Sequence, residues 1–237
     1  MPVDVTIPQE LQRQFYNLVH YLEQPGVQNT PLTPPSASAV KWWTEIETRY
    51  SEPQRHYHTL EHIGSMHYLL EESDPKDFDV ISLAIFFHDI IYDPKANDNE
   101  LQSMELFRQF AEELNMPEAM KTPVLAFIEA TIKHNLVPSI TDSGILNDLK
   151  LFLDFDLEVL GREPADYNRY AQQIRAEYSH VPPEDYCKGR PAVLKRFLAR
   201  EQLYFSPKFQ QFFEESARRN LQAEIKRLEN GNLGSSV

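Results

Sequence analysis

One segment constrains this chain more than any other: Ile81-Ser-Leu-Ala-Ile-Phe-Phe-His88-Asp89-Ile-Ile-Tyr92-Asp93-Pro94. Before the doublet its residues are apolar around the whole circumference of a helix, which describes a helix buried on every side rather than an amphipathic surface helix. His88-Asp89 interrupts that run. A buried carboxylate without compensation is strongly unfavourable, so the doublet must be hydrogen-bonded, ion-paired or set on a metal. On this segment alone, a hydrogen-bonded pair joining two helices and a metal-ligating pair are equally good readings.

Apolar residues recur at helical spacing almost everywhere, and no alternating run is long enough to argue for a sheet. The expectation is an all-α, single-domain helical bundle over residues 1–237. Leu11, Phe15, Leu18, Val19 and Leu22 mark a first helix, stopped by Pro25-Gly26 and followed by a Pro-rich loop to about residue 35. Further helices are predicted over 38–49, 57–72 and 78–91. A fifth is capped by Asp98 or Asn99, a sixth runs from Pro117 to His134, and a seventh runs from Asp142 to Leu160-Gly161. Two more segments follow, the second interrupted by Gly189 and Pro191, then a long helix over 207–229 and a frayed tail at 231–237. Trp42-Trp43 and Phe205, Phe209, Phe212 and Phe213 suit a core first and a homodimer surface second.

Lys and Arg total 23 against 36 Asp and Glu, a formal charge of -13. That balance opposes binding to nucleic acid or anionic lipid, so a phosphorylated ligand would need locally placed cations. The single cysteine, Cys187, excludes an intrachain disulfide and a Cys-based zinc site, which fits a reducing cytoplasm. No apolar run approaches the roughly 18 residues of a membrane span, and residues 1–10 lack the features of a secretory leader. A cytoplasmic protein with no membrane contact is expected.

Two other segments offer ligands. Arg55-His-Tyr57-His58-Thr-Leu-Glu61-His62 sets His58 and His62 four residues apart, on one face if the segment is helical. His56 and His67 read as solvated. In Lys150-Leu-Phe-Leu-Asp154-Phe-Asp156-Leu-Glu-Val-Leu-Gly161, Asp156 has Phe152, Leu153, Val159 and Leu160 at its i±3 and i±4 positions. It is therefore expected to point inward, with Asp154 facing water or a cation. His58 to His62 also spells H-x-x-E-H, an inverted zinc-peptidase motif with Glu61 as base, but that reading leaves His88-Asp89 unexplained.

In order along the chain, His62, His88-Asp89 and Asp156 resemble the HD-domain superfamily of metal-dependent phosphohydrolases. The likeness is to a branch with R-x-Y-H-x-x-x-H, H-D-x-x-Y-D-P and D-N-E-x-x-S segments. Here these read Arg55-His-Tyr57-His58-Thr-Leu-Glu-His62, His88-Asp89-Ile-Ile-Tyr92-Asp93-Pro94 and Asp98-Asn99-Glu100-Leu-Gln-Ser103. The resemblance extends from about residue 40 to about 225, taking in Tyr170 to Tyr178 and Gly189-Arg190.

It implies one divalent metal ion (Mn, Fe, Ni, Co, Zn or Mg) on His62, His88, Asp89 and Asp156, and hydrolysis of a phosphoester by activated water. The substrate class it implies is a small phosphorylated metabolite such as a nucleotide. Asp89 would orient the water, and His58 would protonate a leaving oxygen or contact phosphate. Arg55, Lys133, His134, Arg175 and Arg190 are the candidates for holding the substrate. A non-catalytic sensor of metal and nucleotide is the remaining alternative.

Overall fold

The computed structural model describes residues 6–24 and 34–233. Among them the protein is all-helical, as its periodicity predicts, and no described helix is long and apolar enough to cross a membrane. The stop at Pro25-Gly26, most of the Pro-rich loop and the last four residues of the tail lie outside the described residues. The chain divides into two compact units, residues 1–149 and 150–237, with the boundary inside one helix.

The first unit contains α1 (Ile7–Glu23), α2 (Ala37–Tyr50), α3 (Leu60–Glu71), α4 (Phe78–Phe87), α5 (Asn99–Glu113), α6 (Glu118–Thr131) and the start of α7 (Ser143–Leu157). Every residue of α4 from Val80 to Phe87 is buried, and the helix packs against α3, α5 and α6. Around it Phe15, Trp42, Trp43, Phe107 and Phe110 close an aromatic core, with Phe15 edge-on to Phe86 at 5.2 Å. Trp42-Trp43 therefore belongs to the core. Asp142 starts α7 by accepting the amides of Gly144 and Ile145 at 2.9 Å each, which leaves fewer N–H groups unsatisfied at the helix start.

The second unit holds the end of α7, a tight turn at Glu158–Gly161, α8 (Pro164–Glu177), α9 (Pro183–Leu198) and α10 (Pro207–Glu229). α10 lies against α9, α8 and the turn. A Cβ added at Gly161 would stand 2.6 Å from Phe213 Cβ, so glycine is needed there for the close approach of α10. Gly189 and Pro191 do not interrupt α9. Pro191 is buried beside Leu194 and Tyr186, and that apolar face carries the helix past its missing N–H. Phe209 is core, whereas Phe212 is exposed.

Candidate metal centre

The doublet sits where α4 stops, at Phe87 rather than at Ile91 as the apolar run suggests. In a continuing helix the Ile90 carbonyl would accept from residue 94, but Pro94 has no N–H. The Asp93 N–H is also withdrawn: it donates to Asn99 Oδ1 at 3.0 Å, while Asn99 Nδ2 returns a bond to the Asp93 carbonyl at 2.9 Å. The Ile91 N–H donates to Ser103 Oγ at 3.1 Å. Side chains satisfy the carbonyls left behind. Tyr50 Oη donates to Phe86 O at 3.1 Å, and Arg55 reaches Asp89 O and Ile90 O at 2.8 Å each. Asn99 and Ser103 thus give the D-N-E-x-x-S segment a physical role: they hold the loop that follows the doublet.

Stopping the helix there splits the doublet's environments. The His88 side chain is 1% exposed and the Asp89 side chain 19%. His88 Nδ1 lies 3.0 Å from the Ile85 carbonyl, which can only accept, so Nδ1 carries hydrogen and a neutral ring presents a lone pair at Nε2. That Nε2 is 3.0 Å from Asp89 Oδ2 and 3.4 Å from His62 Nε2. His62 Nε2 and His58 Nε2 lie 4.0 and 3.9 Å from the same carboxylate oxygen. His62, His88 and Asp89 each bring a ligand atom to within 4.8 Å of the others.

His62 is buried in the first turn of α3, behind the N-cap Thr59. His58 lies before that cap, so the pair does not share a helical face as the four-residue spacing suggests. The N-cap Thr59 fixes the helix start after His58. His58 arrives instead by stacking, 4.3 Å from the Tyr92 ring and edge-on to Tyr57. Glu61 is exposed, and with His58 off the helix the H-x-x-E-H geometry is not formed. His67 is a correction too: it is buried against Phe86, 4.5 Å between ring centres, with neither ring nitrogen hydrogen-bonded. Burial pushes its pKa down to about 3.

The two aspartates of α7 exchange the burial expected of them. Asp154 is fully buried, and its two oxygens each accept a backbone N–H at 2.7 Å, from Phe205 and Ser206 at the start of α10. Asp156 is half-buried on the second unit. Asp156 also adds to the rise in the Tyr170 pKa, which burial causes in the main. The local pattern misleads because α7 ends at Leu157, so Val159 and Leu160 do not occupy helical i+3 and i+4 positions from Asp156.

The cations expected to hold substrate are mostly committed elsewhere. The Arg55 side chain is buried, with Nη1 also donating to His58 O at 3.0 Å and Nε 3.3 Å from Glu52, so it is not an open phosphate ligand. Arg175 donates to the carbonyls of Tyr178 and Val181 and stacks on Tyr186. Arg190 pairs with buried Glu224 at 3.1 Å, and Glu224 also accepts from Tyr167 Oη. Of the four cations only Lys133 is exposed. His134 is half-buried with φ +47 just after α6, where the amides of His134 and Asn135 return to Thr131 O and Ala130 O. Tyr50 was not legible as a site residue, since nothing local distinguishes it from a core tyrosine, and Tyr57 and Tyr92, though they stand in the segments that carry the resemblance, had no role assigned.

No family model matches the chain, and no curated protein or solved structure matches it.

Proposed function

We propose that His62, His88 and Asp89 hold a divalent metal ion and that the protein is a metal-dependent phosphohydrolase acting on a small phosphorylated substrate such as a nucleotide. The observation that carries the metal is the convergence of ligand atoms: His88 Nε2 lies 3.0 Å from the Asp89 carboxylate and 3.4 Å from His62 Nε2, and His62, His88 and Asp89 each bring a ligand atom to within 4.8 Å of the others. With both rings neutral, nitrogen lone pairs and a carboxylate oxygen brought this close repel, and a cation placed among them turns that repulsion into attraction. Two imidazoles and a carboxylate suit Mn, Fe, Co, Ni or Zn better than Mg, and three protein ligands leave positions for substrate. Phosphoryl chemistry rests on the resemblance of the motifs to the HD superfamily, which also names Asp156 as a further ligand.

A divalent ion bound there supplies Lewis acidity toward a phosphoryl oxygen and acidifies water. Asp89 directs Oδ2 toward the two imidazoles, and its other oxygen is suited to accept hydrogen from an attacking water. The Ile85 carbonyl fixes the His88 tautomer and ring angle, an arrangement typical of metal-binding histidines. His58, stacked on Tyr92 and less buried than His62, is placed to hold a proton for the leaving oxygen.

The test is elemental analysis of the purified protein together with phosphate release from nucleotides and simple phosphomonoesters supplied with Mn, Co, Ni or Mg. Release that disappears in Asp89→Asn is expected. Binding of a nucleotide without release would make the protein a sensor, and full turnover by a metal-loaded Asp89→Asn variant would sink the assignment.

A further inference from the structure

Arg55 is the residue through which two separate segments of the metal centre are joined. Its Nη1 donates at once to the His58 carbonyl, 3.0 Å away and just ahead of α3, and to the Asp89 carbonyl, 2.8 Å away and just beyond α4. Its Nη2 takes the next carbonyl, Ile90, at 2.8 Å. The guanidinium lies between aromatic rings, 4.9 Å from the Tyr50 centroid and 5.4 Å from that of Tyr92. Tyr92 in turn stacks on His58, and Tyr50 fixes the Phe86 carbonyl two residues before His88.

Carbonyls at the end of a helix carry the negative pole of its dipole and would repel a second carbonyl brought against them. A cation with several donors in one plane removes that repulsion and sets the spacing of both segments. Burial adds constraint, because a guanidinium held by carbonyls and rings has no alternative rotamer that keeps those bonds. The R-x-Y-H spacing has the same logic: an arginine three residues before His58 can fold back onto the His58 carbonyl while its remaining donors reach α4.

We propose that Arg55 is a positioning residue for the metal centre, clamping the His58 backbone to the Asp89-Ile90 backbone so that His58, His62, His88 and Asp89 converge. The inference deepens the proposed function and rests on its metal reading. It also separates Arg55 from substrate: the residue acts through backbone and touches no phosphate.

Arg55→Lys keeps the charge and removes the planar fork, since one ammonium cannot reach three carbonyls from between two rings. Calorimetric titration of wild type and variant with Mn²⁺ alone should show affinity lowered by about 10- to 100-fold, the loss typical when a group supporting metal ligands is removed. In the metal-free proteins, imidazole ¹H–¹⁵N resonances of His58, His62 and His88 should shift while that of His20 stays in place. General loosening would move all four, and would overturn the proposal. So would a raised substrate KM with Mn²⁺ affinity unchanged, which would return Arg55 to the substrate. Should Arg55→Lys not fold, Tyr50→Phe, which frees the Phe86 carbonyl, is expected to shift the same three histidines by less. Unshifted resonances there would likewise overturn the clamp. Wild-type protein that binds none of Mn²⁺, Co²⁺, Ni²⁺ or Zn²⁺ would sink the proposed function and the metal half of this inference with it, whereas the metal-free spectra would still judge whether Arg55 sets the histidine geometry.

Discussion

Asp89 and Asp154 are both acids at or inside buried helices, and their partners differ in kind. Asp154, in the second unit, meets two amide donors at 2.7 Å and holds the backbone that leads into α10. Asp89, in the first, meets imidazole nitrogens: His88 Nε2 at 3.0 Å, with His58 and His62 at 3.9 and 4.0 Å. The more buried carboxylate is the structural one. Burial of an acid therefore does not locate a site; what surrounds it does, because two backbone amides complete a carboxylate, whereas imidazole nitrogens gathered around a carboxylate oxygen make a ligand set for a cation.

The sharpest way to break this contrast is one substitution made at both positions. Asp89→Asn should abolish phosphate release and lower Mn²⁺ affinity by more than about 100-fold, beyond the loss that supporting residues produce. Asp154→Asn should leave Mn²⁺ affinity as in wild type, measured by the same titration. Equal losses would erase the distinction.

The pH dependence of stability separates the two kinds of buried group further. Burial lifts Asp154 from 3.8 to about 6, against the pull of its two amides. A raised pKa means that the folded state holds the proton more tightly. The stabilisation is thus complete below about pH 4 and lost as pH rises through 6, about 3 kcal/mol at roughly 1.4 kcal/mol per unit. Urea unfolding of Asp154→Asn between pH 4 and 7 should lack that fall.

His67 supplies the opposite slope. Its pKa is depressed from 6.5 to about 3, so its contribution is complete above pH 6.5 and lost as pH falls, about 2.7 kcal/mol by roughly pH 4.5. His67→Leu should remove this acid-side loss. The smallest effect is at His134, whose φ of +47 is a conformation glycine adopts without strain. His134→Gly should raise stability by about 1 kcal/mol. It should also lower kcat/KM, and unchanged turnover would remove His134 from the substrate-binding set.

Much of the fold was legible because its signals are local. The apolar circumference of α4 announces a buried helix, and Asp142, read as the start of α7, stands one residue before it and accepts two of its amides. What failed depended on partners far along the chain. Asp154 is bound by amides about fifty residues later, and the end of α4 is set by Tyr50, Arg55, Asn99 and Ser103 together. Arg55 was readable as part of the site, yet its role as a clamp was not, since a guanidinium is equally suited to phosphate and to carbonyl oxygen.

The sequence by itself determined the helical class and the presence of a His-Asp pair against an apolar run that costs desolvation, because periodicity and desolvation are properties of the residues concerned. Only the tertiary structure decided that His62 and His88 meet nitrogen to nitrogen beside Asp89, that His58 joins them from outside the helix, and that Asp154 is satisfied without a cation. Hydrogen-bond polarity is a relation between two groups, and it exists only once the chain has brought them together.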